Sequence, residues 1–154
     1  MVLEIHEDQP LVEPAVTWVR QIHVPMAKNT ALGAQADYPP RIINTEEAQG
    51  ILKLPPDFTT MAQCIFTFFP ATTGNRTVSY TLWAGKCGES YTAHTATAAF
   101  VHAATQNIVF CFDLLASFPA FFAALEAGDY LRVRALYQTA ATYLVVYGLD
   151  VVIV

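Results

Sequence analysis

Charged side chains are scarce in this sequence. Asp, Glu, Lys and Arg make up 14% of its 154 residues, whereas an average globular chain has about 25%. The shortage is concentrated after residue 60, where five acids and four bases serve 94 residues. A free monomer of this size needs more charge to stay in solution, so we expect part of its surface to face another subunit.

Basic clusters and long apolar runs are also missing. The net charge is −5 and no stretch gathers Lys and Arg, which argues against binding to the phosphate backbone of nucleic acid. No apolar run approaches the ~20 residues that cross a bilayer, so we expect no membrane partner. The first eight residues are acidic and lack an apolar core, and we therefore expect no export signal.

No motif for catalysis or cofactor binding is present either. The sequence has no Gly-x-Ser-x-Gly elbow, and its seven glycines form no run that could cradle a phosphate. His94 and His102, with Cys87 and Glu89 nearby, are the one group with metal-ligand chemistry, but their spacing matches no zinc pattern. We expect no enzyme activity, no metal and no cofactor.

What the sequence does contain is a strong β-strand signal from Phe58 onward. Runs rich in β-branched and aromatic residues predict strands over 61–69, 76–83, 107–113, 129–137 and 143–154. Alternation in the second of these runs places Val78, Tyr80 and Leu82 on a buried face. The last two runs are predicted to form a hairpin across the small, polar turn 138–142. Asp129, directly after Gly128, is predicted to be a residue of the turn that precedes these runs.

These strands and their turns predict an all-β fold, an antiparallel β-sandwich of jelly-roll type. One short helix is predicted over 117–126, with Ser117 as its cap and Pro119 in its first turn. The three cysteines are an odd number and are expected to be thiols, with Cys64 and Cys111 as small core residues.

Residues 1–56 differ in character from residues 57–154, which we assign to the sandwich domain. The first segment holds seven of the nine prolines, and this density excludes a long helix or a central strand. Two interpretations are open: the segment adds early strands to the same core, or it is an extended arm that reaches neighbouring subunits. A single helical turn is predicted over 45–49. The candidate contact residues of the segment are apolar: Val16, Trp18, Ile22, Tyr38 and Ile42.

Turn motifs from residue 55 onward follow one another in a recognisable order. They are Pro55-Pro-Asp-Phe58, Ala71-Thr-Thr-Gly-Asn75, Gly88-Glu-Ser-Tyr91 followed by Thr92-Ala-His-Thr95, and Ala127-Gly-Asp-Tyr130 with Tyr147-Gly-Leu149 in the last strand. In this order they resemble the small β-sandwich proteins of tailed bacteriophages, which decorate or cement capsids or sit on tails and fibres. The resemblance covers about residues 55–154.

The resemblance implies a virion structural protein on the capsid exterior, made in the host cytoplasm. Its implied partners are copies of itself, as a trimer, and the major capsid protein. The alternative is a carbohydrate- or receptor-binding module of a phage tail appendage, which needs an exposed aromatic platform. The aromatic candidates for that platform are Trp18, Trp83, Tyr80, Tyr91 and Tyr130.

Overall fold

The computed structural model describes residues 18–28, 39–90, 92–140 and 142–154. Within these ranges, ten β-strands form two five-stranded antiparallel sheets. The strands are β1 (Arg20–Val24), β2 (Ala27–Lys28), β3 (Arg41–Ile43), β4 (Glu47–Lys53), β5 (Met61–Pro70), β6 (Gly74–Gly85), β7 (His94–Ala104), β8 (Phe110–Asp113), β9 (Tyr130–Tyr137) and β10 (Tyr143–Ile153). The predicted all-β sandwich is confirmed, and no helix among the described residues is long and apolar enough to cross a membrane.

The strand pairing is that of a jelly roll. The first sheet has the order β1-β10-β5-β8, with β3 also paired to β10, and the second has the order β2-β4-β9-β6-β7. Early strands pair with late ones in a nested series: β10 with β1 and β3, β9 with β4, β8 with β5, and β7 with β6. The chain therefore resembles one long hairpin rolled around a core, which is the jelly-roll arrangement.

The core lies between the inner faces of the two sheets. Val78, Tyr80 and Leu82 of β6 are fully buried, as their alternation predicts. The inner faces of β5 and β9 supply Phe66, Phe68 and Val133, which are also fully buried. Each such side chain contributes about 1.5–3 kcal/mol through removal of its apolar surface from water, so this one layer organises the whole sandwich.

The predicted hairpin over residues 129–154 is wrong in its pairing, although both strands exist. β9 pairs with β4 and β6 in the second sheet, whereas β10 pairs with β1, β3 and β5 in the first. The connection 138–142 therefore crosses from one sheet to the other, a gap of about 10 Å that five residues span easily. Each strand buries alternate residues against the shared core instead of against its neighbour in sequence, and in β10 the alternation shifts at a bulge near Gly148.

The described part of residues 1–56 belongs to the sandwich. β1 and β3 line the same edge of β10 at its two ends, and β4 pairs with β9 along its full length. The early-strand interpretation therefore holds for these residues, and strands on both sides of residue 56 share one core. The rest of the segment for which an extended arm is considered, residues 1–17 and 29–38, lies outside the described residues.

Two local predictions are corrected. Two short helices, α1 (Leu114–Ser117) and α2 (Pro119–Ala123), replace the single helix over 117–126. Pro119 disfavours a helical conformation at the residue before it, and Phe118 there has φ −130° and ψ 52°. The helical turn over 45–49 is absent because Thr45 takes a left-handed turn with φ 68° and the chain then enters β4.

Candidate interaction surface

The predicted contact residues do not share one surface. Val16 and Tyr38 lie outside the described residues. Trp18 is 69% exposed just before β1, while Ile22 in β1 is half-buried and packs against the core. Ile42 is fully buried, because the middle residue of the three-residue strand β3 faces inward, so this side chain offers no surface to a partner.

Trp18 borders a cleft at the end of β10. The cleft has a volume of about 280 Å³ and is also lined by Arg20, Asp57 and the terminal Val154. The Arg20 guanidinium donates two hydrogen bonds to the Asp57 carboxylate, at 2.9 and 2.6 Å. These hydrogen bonds from Arg20 lower the pKa of Asp57. The cleft therefore combines one exposed ring with a paired acid and base.

The other aromatic candidates for a sugar platform do not join Trp18. Tyr80 is fully buried in the core and Tyr91 lies outside the described residues. Tyr130 is 43% exposed at the start of β9. Trp83 lies on the outer face of β6, where two arginines of β9 cover its ring at 4.8 and 5.2 Å. Trp83 and Tyr130 therefore lie on the outer face of the second sheet, whereas Trp18 lies before β1 of the first sheet.

The arginines over Trp83 belong to a cluster of matched polar groups on β4 and β9. Arg132 donates a hydrogen bond from Nε to Oε1 of Gln49 at 3.0 Å. Arg134 lies 3.4 Å from the Glu47 carboxylate. Because each guanidinium already has partners within the chain, this face presents little unmatched charge to a ligand.

Among the described residues, five strands form the outer edges of the two sheets, and four of them oppose pairing with another chain. β3 is three residues long and begins with Arg41. β1 carries Arg20 in its ion pair. β2 is two residues long, and its Lys28 Nζ lies 2.6 Å from the Glu46 carboxylate. β8 is four residues long and ends at Asp113. Short edge strands and charged side chains are the usual protection of a sheet edge.

β7 is the fifth edge strand and has none of these protective features. It is 11 residues long and contains no charged residue, proline or glycine. It runs without a bulge along β6, from the pair His94–Ala84 to the pair Ala104–Gly74. Among the described residues, no strand pairs with its other side. A row of backbone N–H and C=O groups is therefore open to another strand.

β7 and β8 together form one lateral side of the sandwich, and we call residues 94–112, which precede Asp113, the β7–β8 side. No charged residue occurs in the 23 positions between Glu89 and Asp113. Its exposed apolar side chains are Val101 at 64%, Ile108 at 59% and Val109 at 52%. A lack of charged residues together with exposed apolar side chains is typical of the core of a protein–protein interface.

Half-buried aromatic rings lie just behind this side. Phe100 of β7 and Phe110 and Phe112 of β8 pack against the core but keep part of their surface exposed. The ring centroids of Phe100 and Phe112 are 4.8 Å apart, so these rings close the gap between the two sheets. Burying their remaining surface would stabilise a complex at about 25 cal/mol per Å².

His102 is the buried polar residue of β7. It is 4% exposed, and its Nε2 lies 2.9 Å from the Tyr80 hydroxyl oxygen. The rings of Phe110 and Phe112 surround it at 5.1 and 4.6 Å. Burial lowers the pKa of His102 to about 4, because an apolar surrounding disfavours the charged imidazolium. The residue is therefore neutral at physiological pH.

His94 and His102 do not share a site. They lie eight positions apart on the extended strand β7, a separation of about 26 Å. Among the described residues, no group of three or more His, Cys, Asp or Glu side chains could hold a metal ion.

The cysteines divide between the core and the surface. Cys64 is fully buried, as predicted, and burial raises the pKa of its thiol to about 12. The core prediction for Cys111 is wrong, because this residue is exposed on the outer face of β8. Its neighbours Phe110 and Phe112 take the inward positions of the strand, so alternation leaves Cys111 outside.

Comparison of this chain with models of known protein families, with curated proteins and with solved structures finds no match.

Proposed function

We propose that this chain is a structural subunit of a bacteriophage virion, a decoration protein on the exterior of the capsid. Its partners are copies of itself and the major capsid protein, and it is made in the host cytoplasm. The viral setting comes from the resemblance of the turns in residues 55–154. The jelly-roll fold is compatible with it but does not decide it, because capsid proteins, lectins and cupins all use this fold.

The uncharged β7–β8 side is the observation that carries the assembly role. Its exposed Val101, Ile108 and Val109 adjoin an unprotected edge strand. A free monomer gains nothing from such a surface, whereas an interface core is depleted in charge and rich in apolar contacts. The observation supports a subunit that works by contact with other protein chains.

The proposed role is mechanical and non-catalytic. Three carboxylates that could serve as acids or bases already have structural partners. Asp57 binds Arg20, Asp113 accepts a hydrogen bond from the Ala116 backbone N–H at 2.9 Å, and Asp129 accepts one from the Glu126 backbone N–H at 2.8 Å. The contact of Asp129 is the turn role that its position after Gly128 predicts.

The test is to purify virus particles from lysates of the host that carries the gene and to label them with an antibody against this chain. We expect gold label over the capsid surface in electron micrographs, and many copies of the chain per particle in denaturing gels. Particles that lack the chain, with all of it in the soluble fraction, would overturn the proposal. Label confined to the tail would instead favour the second candidate function.

That second candidate is carbohydrate or receptor binding on a tail appendage, and the cleft beside Trp18 favours it. An exposed indole next to the hydrogen-bonding pair Arg20–Asp57 offers a ring for stacking and polar groups for hydroxyls. A glycan array with the purified chain tests this function. Binding that Trp18→Ala removes and Tyr130→Ala leaves intact would support it, and no binding to any glycan would exclude it for the glycans tested.

A further inference from the structure

We propose that β7 pairs with β7 of a second copy of this chain, antiparallel and centred on Ala99. The two five-stranded second sheets would then join into one continuous sheet. This inference goes beyond the proposed virion role and rests on the open edge of β7. The virion role and the pairing of two β7 strands can therefore each fail without the other.

Backbone geometry is the first support. Among the described residues nothing pairs with the outer edge of β7, where alternate residues of this 11-residue strand direct their N–H and C=O groups away from β6. The same edge of a second copy offers the same groups. In an antiparallel pair related by a two-fold axis, both copies contribute equally and every inter-strand hydrogen bond is made twice. Centring on Ala99 pairs the strand over its full length, because Ala99 is its midpoint.

The inward side chains of β7 are complementary in size about this centre. One half of the strand carries large inward rings, Phe100 and His102, and the other half carries small inward residues, Ala96 and Ala98. A two-fold axis at Ala99 therefore places each large ring opposite an alanine. The inward pairs are Ala98 with Phe100, Ala96 with His102, and His94 with Ala104.

The outward side chains are compatible with the same register. They are small or β-branched and uncharged, and in this register they pair as Thr95 with Ala103, Thr97 with Val101, and Ala99 with Ala99. No like charges meet across the axis, although each copy has a net charge of −5. Uncharged β-branched pairs stabilise strand pairing, whereas like charges oppose it.

Neighbouring registers lose this match. An axis at Ala98 places His94 opposite His102, and an axis at Phe100 places two phenylalanine rings opposite each other. Both also leave residues unpaired at one end of the strand. A register shifted by a single residue lies between these axis positions. It would turn the inward side chains of the second copy to the outer face of the joined sheet. The size pattern thus identifies a second copy in one register as the occupant of this edge.

The expected stoichiometry is two chains, since a two-fold pair uses the edge of both copies and closes. This number differs from the trimer that the resemblance implies. Light scattering of the purified chain at micromolar concentration should give about 34 kDa, twice the mass of one chain of 16.9 kDa. A mass of one chain or of three chains would overturn the pairing.

A charge at the axis tests the position of the contact. Ala99→Lys places two lysines opposite each other and should raise the dimer dissociation constant roughly tenfold or more. Ala99 is exposed, so the monomer should fold, which circular dichroism checks. The matched control is Ile51→Lys, an exposed outward position on β4 of the same sheet. An equal effect of both substitutions, or of neither, would contradict the proposal.

Crosslinking tests the register itself, in a background with Cys87→Ser and Cys111→Ser to remove the exposed thiols. Across the axis the two Cα atoms of residue 99 lie about 4.5–5.5 Å apart, within disulfide reach. We expect Ala99→Cys to form a covalent dimer under mild oxidation. Ala103→Cys should not, because its two copies would lie about 26 Å apart. Equal crosslinking at both positions, or none at residue 99, would overturn the register.

Discussion

The two lateral sides of this sandwich close the same core by different means. The side formed by β1 to β4, residues 18–28 and 39–53, uses short strands and ion pairs such as Arg20–Asp57 and Lys28–Glu46. The β7–β8 side uses one long, uncharged edge strand and a row of aromatic rings. The first side therefore carries charged side chains, and the second has none between Glu89 and Asp113.

Burial of the inward residues shows the same difference. On the β1–β4 side, Val24, Ile42 and Ala48 are 5% exposed or less, so the chain covers its own core. On the β7–β8 side, Phe100 and Phe112 point inward yet remain half-buried. Among the described residues, the chain therefore covers its core fully on the β1–β4 side only, and the uncharged run of the sequence coincides with the open edge β7.

The largest expected effect is a loss of stability on the β1–β4 side, where the chain covers its own core. Gly148 of β10 has φ 135°, and a Cβ there would lie 2.4 Å from the Val24 backbone oxygen of β1. Gly148→Ala should lower the free energy of unfolding by roughly 3 kcal/mol or more, because both the backbone strain and the clash oppose the native pairing of β1 with β10. Urea denaturation measures this change.

Gly88→Ala is the matched control for that substitution. Gly88 also has positive φ, at 90°, but no atom lies within 4 Å of its added Cβ. This variant should lose only about 1 kcal/mol, from backbone strain alone. If the two variants lost equal stability, the close packing of β1 on β10 would not describe the protein in solution.

The next largest effect is expected on the β7–β8 side, where His102 makes the stability of the fold depend on pH. Burial holds the pKa of His102 at about 4 in the folded chain, whereas an unfolded histidine titrates near 6.5. Between these values the unfolded state binds a proton that the folded state does not. Stability is therefore fully present above pH 6.5 and falls as pH falls towards 4, by about 3 kcal/mol.

Denaturation of the wild type and of His102→Gln across this range isolates the contribution, because other titrating groups are common to both. The stability difference between them should shift by about 3 kcal/mol in favour of the variant as pH falls from 7 to 4. An NMR titration of the wild type gives a check that needs no variant. A His102 ring that titrates near pH 6.5 would show that it is not buried between β7 and β8.

Local pattern was enough to predict β5, β6, β8, β9 and β10, but it did not predict β7 or the partners of any strand. The alternation at Val78, Tyr80 and Leu82 identifies an inward face, because burial of one face is a property of the strand itself. The runs 129–137 and 143–154 also have one apolar face each. Nothing local tells which sheet each strand joins, since a five-residue connection fits both a hairpin and a crossing between sheets.

The scarcity of charge on the candidate surface can be read from the sequence, but the place of this surface in the fold cannot. Scarcity of charge after residue 60 predicts an interface, and the uncharged run after Glu89 can be read from the sequence. Only the topology makes β7 an edge, because its free side depends on the pairing of all the other strands. Ile42 was misassigned for the same reason, since an apolar residue in a short strand faces the core or a partner according to tertiary packing alone.

The smallest expected effect compares the turns of the two sides. Thr45, before β4, and Asn107, before β8, both have left-handed backbones, with φ 68° and 61°. A β-branched residue is strained in this region, whereas asparagine tolerates it. Thr45→Gly should therefore raise the free energy of unfolding by about 0.5–1 kcal/mol, and Asn107→Gly should change it by less than about 0.5 kcal/mol. Thermal and urea unfolding of the two variants measure the contrast. A greater gain in the free energy of unfolding for Asn107→Gly than for Thr45→Gly would contradict this prediction. It would mean that the turn before β8, on the β7–β8 side, is the more strained of the two.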